Sequence, residues 1–124
     1  RRSLPDYGGP ARTHDLHLLP EYHALVASGT KTVEVRTASP AKALIRPGDR
    51  IDFHTEHDQS ATCEVVRVDR YPDFVALLDN ETPAAINPAA DRDGILAALR
   101  GIYPPDKEKL GALAIEIVLL TTDH

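Results

Sequence analysis

Apolar positions along this chain switch between two periods. Over residues 32–36, Val33 and Val35 alternate with Thr32, Glu34 and Arg36, the period-two pattern of a half-buried strand. That pattern predicts two valines turned into a core and three polar side chains on the opposite face. Just upstream, Tyr22, Leu25 and Val26 recur as on one helix face. Pro20 suits that helix's first turn, Glu21 suits its positive end, and Gly29 ends it. Residues 15–19 read as a short strand before it.

Further on, Ser39 followed by Pro40 predicts one helical turn over 40–45, and Arg46-Pro47-Gly48-Asp49 a tight turn. Ile51 and Phe53 alternate with Asp52 and His54, giving a strand over 49–55. A polar hairpin loop follows at 56–59. The next strand, 60–69, is long, and its alternation slips at Val65 and Val66, which predicts a bulge. Asp73 can cap a short helix through Leu77 and Leu78, and Asp91 a second one through Leu99 to Gly101. Between them, 80–90 reads as irregular. Residues 102–111 read as a turn or a one-turn helix. The last strand is 112–120, with Leu113, Ile115, Ile117 and Leu119 on one side.

The strands are spread along the chain while the helices cluster in two places, and no repeat is visible. This segregation predicts an α+β fold, a small and mostly antiparallel β-barrel decorated by short helices, rather than βαβ repeats. A length of 124 residues suits one domain with one core. We place it at 14–124, after an aperiodic Pro/Gly/Arg arm at 1–13 expected to be flexible. With no Trp or Met and 5% aromatic residues, the core must be built from Leu, Ile, Val and Ala. The lack of Met implies that the chain as given is trimmed or processed. Cys63, the one cysteine, lies in an apolar alternating run and reads as a small buried hydrophobe.

Charge narrows the partners. The formal net charge is −5, which argues against a surface that grips nucleic acid throughout. The arm is basic, with Arg1, Arg2 and Arg12 against Asp6. Nucleic acid would therefore need a local basic pocket. No apolar run has the length of a membrane span and no signal peptide is present, so a cytoplasmic protein is expected.

Candidate chemistry gathers at the junction of helix and strand, where Lys31, Thr32, Glu34 and Arg36 fall within six residues. Two readings stand: a solvated strand face on which Glu34 and Arg36 pair weakly, or a polar site. In the second, Arg36 suits a phosphate or carboxylate through its planar fork. Lys31 would act as general base or nucleophile, and Glu34 would carry the proton or hold that lysine in place. Tyr103, Lys107 and Lys109 are candidates from the far end of the chain, with packing or solvation as their plain alternatives. His54 and His57 beside Glu56 and Asp58, and His14 with His17, are weak metal signals without a cysteine partner. No metal or other cofactor is expected. Nucleophile-elbow, dinucleotide and phosphate-loop motifs are all absent.

The helix followed by 28–36, the turn and strand 47–53, the segment 66–74 with Tyr71 and Phe74, and the closing pattern of 102–104 and 110–117 together resemble the ASCH domain family of the PUA-like superfamily. The resemblance covers most of 14–120. It implies a small β-barrel with a cleft beside the Gly-x-Lys-Thr strand, in a fold regarded as RNA-binding or RNA-processing. Some members hydrolyse the amide of acetylcytidine with a lysine, a threonine and a later glutamate, and ribonuclease activity is attributed to others. On this chain the lysine falls on Lys31, the threonine position on Glu34, and the later glutamate on Glu81. A glutamate cannot replace a hydroxyl there without changing the mechanism.

Three expectations follow. The first is a cleft for single-stranded RNA or a modified nucleoside, lined by Lys31, Thr32, Glu34, Arg36 and Tyr103. The second is an enzyme on the same cleft, a ribonuclease or nucleoside amidohydrolase using Lys31 and Glu34. The third is a binder of a small anionic metabolite or of a protein.

Overall fold

A computed structural model describes residues 10–123. Its strands are β1 (Thr13–His17), β2 (Val33–Thr37), β3 (Arg50–His54), β4 (Ser60–Tyr71) and β5 (Ala112–Asp123). They form one mixed sheet in the order β1-β3-β4-β5-β2, with β1 parallel to β3 and every other pairing antiparallel. The helices are α1 (Pro20–Ala27), α2 (Phe74–Asn80), α3 (Pro83–Ile86), α4 (Arg92–Ile102) and α5 (Pro105–Glu108), with a 3-10 turn at Lys42–Leu44. The fold is α+β, a curled half-barrel decorated by short helices. Most of the expected arm, 1–9, lies outside the described residues. Its last residue, Thr13, is already in β1, and Arg12 C=O accepts from Arg50 N–H at 2.8 Å.

Two apolar clusters hold the layers together. The larger joins Leu16, Ile51, Phe53, Cys63, Val65 and Ile115 from β1, β3, β4 and β5, and α1 closes it through Val26. The second packs Val33, Val35, Ala112 and Ala114 under Phe74, Leu77, Ile95 and Leu99 of α2 and α4. Each full burial of such a side chain stabilises by about 1.5–3 kcal/mol. Cys63 is wholly buried, and burial, with Asp52 and Glu34 adding, pushes its thiol up to about 12. The predicted bulge is present: the β4–β5 register shifts between Val65 and Arg67. Asp73 and Asp91 cap α2 and α4 by accepting from Ala76 and Gly94 N–H, both at 2.8 Å.

Sequence periodicity missed α3, since 80–90 reads as irregular and instead holds a four-residue helix. Thr82 followed by Pro83 is the local signal, a cap-type residue before a proline at the first helical position. No helix among the described residues is long and apolar enough to cross a membrane.

β1 and β2 are the two edges of the sheet, and neither pairs with the other. Strand pairing leaves the half-barrel open along that line, and the polar cluster sits there.

Candidate functional site

The turn after α1 aims Lys31. Gly29 adopts a φ of +76°, which glycine reaches at no steric cost. Thr30 and Lys31 N–H then both donate to Leu25 C=O, at 3.0 and 2.9 Å. The Lys31 side chain is carried inward and is 4% exposed. Its Nζ donates to the main-chain carbonyls of Val33 and Ile86, each at 2.8 Å, and lies 3.2 Å from Glu34 Oε1. The same ammonium stands 5.7 Å from the centre of the Tyr22 ring, within range of a cation–π contact. A buried ammonium has three donors, and here all three have acceptors.

Glu34 is as thoroughly engaged. Oε1 accepts from Lys31 and from Val35 N–H at 3.2 Å, and Oε2 from Arg36 Nε at 2.9 Å and Nη2 at 2.7 Å. Burial pushes its pKa up, but the charges of Lys31 and Arg36 outweigh it, and the carboxyl is held below its ordinary value. The Arg36 guanidinium goes further and donates from Nη2 to His17 C=O at 2.6 Å, joining the end of β1 to β2 across the open line.

A cavity of about 340 Å³ lies against this triad. Glu34, Val35 and Arg36 are consecutive yet all line it, so both faces of β2 contribute and the cavity runs along the strand's free edge. The β1–α1 junction supplies His17, Leu18 and Leu19, α1 supplies Tyr22, and α3 and the residue after it supply Ile86 and Asn87. α4 and its C-terminal flank close the far side with Ile95, Ala98, Leu99, Ile102 and Tyr103. The walls are mostly apolar, and the charge is concentrated at the triad, one carboxylate against two cations.

The face assignment from periodicity is inverted. Residues directly opposite on paired strands share a face. Glu34 stands opposite Ile115 and Arg36 opposite Leu113, both members of the barrel cluster. Val33 and Val35 instead turn outward, beneath α2 and α4. Alternation identified two faces correctly but could not tell which was the barrel's, because helices cover the outer one. The solvated-face alternative is also overturned, since Glu34 is 6% exposed.

Of the expected site residues, the structure brings together Lys31, Glu34, Arg36 and Tyr103. Tyr103 is half-buried, its ring 5.8 Å from that of Phe74. Burial raises its phenol pKa, the Arg36 charge opposes this and Glu34 adds to it. Thr32 does not line the cavity. It is spent on backbone ties, its N–H to Ala85 C=O and its C=O to Ile117 N–H, both at 2.9 Å. Lys107 and Lys109 are exposed and also outside it. Glu81 is elsewhere, accepting from Arg67 at 2.8 and 2.9 Å and from the Tyr71 hydroxyl at 2.6 Å, in a network that includes Asp69 and Glu116. His14 and His54 face different carboxylates, Asp49 at 2.8 Å and Asp15 at 3.1 Å. Among the described residues no group of three or more His, Cys, Asp or Glu is placed to hold a metal.

Sequence reasoning missed Tyr22, Ile86 and Asn87. Tyr22 was legible only as part of an apolar helical stripe. Ile86 acts through its main-chain carbonyl, which no side-chain pattern announces.

The family model described as "ASCH domain" matches residues 16–121. No curated protein matches the chain. Among solved structures, hypothetical protein PH0355 is 26% identical with a TM-score of 0.79, over 87% of this chain and 99% of that one. Protein PF0455 from Pyrococcus furiosus is 26% identical with a TM-score of 0.71, over 87% and 97%. A mutant of ZmASCH from Zymomonas mobilis shares the fold at 18% identity and a TM-score of 0.64, over 90% and 73%.

Proposed function

This chain belongs to the ASCH domain family, a family generally thought to bind RNA, and from that premise we propose that the cavity beside β2 receives one unstacked base of single-stranded RNA, or the corresponding nucleoside. The observation that carries the reading is a triad of paired charges forming one wall of an otherwise apolar hollow of about 340 Å³. That volume lies at the small end of ligand pockets and suits a nucleoside. Sequence-specific RNA recognition works on such splayed-out bases, held by stacking and by hydrogen bonds to their edges. Tyr22 and Tyr103 offer aromatic surface, and Leu18, Ile95 and Leu99 offer apolar contact.

Phosphate is not what this wall is built to hold. Lys31 and most of Arg36 are committed to internal acceptors, and a phosphate would have to break those bonds to use them. Binding therefore rests on the base rather than on the backbone. Its dependence on salt is expected to be shallow, with a log–log slope of about −1 or smaller in magnitude, since single strands contribute about −0.7 per neutralised phosphate.

Titration of the chain with a short single-stranded RNA at several salt concentrations tests this, beside the variant Ala98→Trp. Ala98 is exposed and lines the cavity, so tryptophan there fills the mouth and leaves the core alone. Binding that disappears in Ala98→Trp at unchanged melting temperature supports the reading. Binding that persists in the variant, or that falls steeply with salt, overturns it.

A further inference from the structure

Strand β2 leaves one main-chain acceptor unused on its free edge. At the two ends of its pairing with β5, Ile117 N–H donates to Thr32 C=O at 2.9 Å and Ala38 N–H to Gly111 C=O at 2.8 Å. Main-chain groups alternate in direction along an antiparallel pair, so Thr32, Glu34, Arg36 and Ala38 turn theirs toward β5. Val33, Val35 and Thr37 turn theirs to the free edge. Three of these outward groups are already taken. Val33 C=O accepts from Lys31 Nζ at 2.8 Å, Val35 N–H donates to Glu34 Oε1 at 3.2 Å, and Thr37 C=O accepts from Ser39 N–H at 2.9 Å. Val35 C=O has no donor among the described residues, although Val35 is 5% exposed and lines the cavity. Buried main-chain carbonyls are nearly always paired, so this one marks where a ligand's donor belongs.

We propose that Val35 C=O accepts an N–H of the Watson–Crick edge of the bound base, so that the site takes unpaired bases and rejects those methylated on that edge. This rests on the base-binding reading and deepens it. The Tyr22 and Tyr103 hydroxyls and the His17 ring, on residues that also line the cavity, can donate or accept. A main-chain carbonyl can only accept, and the strand fixes its direction. Leaving it unpaired against a bound ligand is costly, and sites built to hydrogen-bond one substituent discriminate strongly for that reason. A base held in a duplex has its Watson–Crick N–H engaged, so the same acceptor excludes double strands. An added peptide strand does not fit the edge. It needs the groups of successive outward residues, and Lys31 and Glu34 already hold Val33 C=O and Val35 N–H, the pair beside this carbonyl.

Nucleosides whose Watson–Crick N–H is replaced by methyl are the deciding probes. The full chain is titrated by calorimetry with uridine and 3-methyluridine, and with adenosine and N6,N6-dimethyladenosine. Whichever parent nucleoside binds is expected to do so at least about tenfold more tightly than its methylated counterpart, the loss that follows when a buried acceptor is left unpaired. As the control for bulk, 5-methyluridine carries a methyl away from that edge and is expected to bind like uridine. In the 13C-labelled chain, the Val35 carbonyl carbon is expected to move downfield on saturation with uridine and not with 3-methyluridine. Equal affinity of parent and methylated nucleoside overturns this inference while the base pocket stands, as does a loss with 5-methyluridine equal to that with 3-methyluridine. A Val35 carbonyl that does not respond to bound uridine overturns it too. Binding of neither uridine nor adenosine overturns the base-binding reading, and this inference with it.

Discussion

The Arg36 guanidinium donates to the His17 main-chain carbonyl at 2.6 Å, and this bond links the two edges of the sheet where no strand pairing does. Arg36 can do so because its fork reaches two targets at once, the Glu34 carboxylate on its own strand and the carbonyl of β1. Lysine presents a single point charge and cannot copy that geometry. Arg36→Lys is therefore expected to lose the link to β1 and to destabilise the fold by about 1.5–3 kcal/mol, the range for hydrogen bonds to charged groups. Urea unfolding of the two proteins measures it. An unchanged midpoint would show that the open line needs no such strap.

Glu34 is the more severe case. Removing one partner of a buried ion pair leaves the others uncompensated and costs about 3–5 kcal/mol. Glu34→Gln keeps the shape but strips the charge from between Lys31 and Arg36, so a loss of that order is expected. The pH dependence has a defined sign. Glu34 has a folded pKa below the ordinary carboxylate range, because Lys31 and Arg36 outweigh the burial that raises it. Its contribution is complete above about pH 4.5 and is lost as pH falls through the lowered folded value. Asp49, Glu81 and Glu108 are lowered as well, so the wild-type curve alone is not diagnostic. The stability difference between wild type and Glu34→Gln is: it should be flat from pH 7 to about 5 and shrink below 4.5. A difference that grows in acid would contradict the pairing.

The geometry bears equally on catalysis. An amide-cleaving lysine must offer a lone pair, and every N–H of Lys31 is engaged by Val33, Ile86 and Glu34. The hydroxyl expected three residues on is absent, and Glu81, the third group of that arrangement, is bound to Arg67 and Tyr71 outside the cavity. Incubation with acetylcytidine is expected to release no acetate above background. Acetate release that vanishes in Lys31→Ala would establish the opposite.

Much of this was readable in the chain because local signals and packing agree. Asp73 and Asp91 cap the helices that their spacing implied. Ile51 and Phe53 are fully buried where alternation put them. The slip at Val65 and Val66 marks a real register shift. What was not readable depends on tertiary arrangement. The inward direction of Glu34 and Arg36 follows from which face of β2 the helices cover, and a period of two carries no such sign. The role of α3 depends on one carbonyl, that of Ile86, meeting a lysine 55 positions earlier. Four helical residues leave too short a period to detect. Thr32 read as a candidate because it lies among Lys31, Glu34 and Arg36, which line the cavity, but its contribution is made by its backbone.

Two glycines should respond differently to the same change. Gly29 and Gly111 both have positive φ, +76° and +106°. At Gly29 an added Cβ meets nothing within 4 Å, so Gly29→Ala carries only the backbone cost, about 1–2 kcal/mol for an L-residue in the left-handed region. At Gly111 the added Cβ comes to 2.9 Å from Arg70 Nε and 3.3 Å from Tyr71 C=O. Arg70 could swing aside only by giving up the bond from its Nη2 to Leu110 C=O, and the Tyr71 carbonyl is fixed in β4. Gly111 C=O also accepts from Ala38 N–H at 2.8 Å, so any shift is passed to the end of β2. Gly111→Ala is therefore expected to cost more than Gly29→Ala by about 1–2 kcal/mol, the strain at φ +106° being added to the contact. Thermal unfolding of the two variants ranks them. Equal losses would mean that the start of β5 yields more freely than its packing implies.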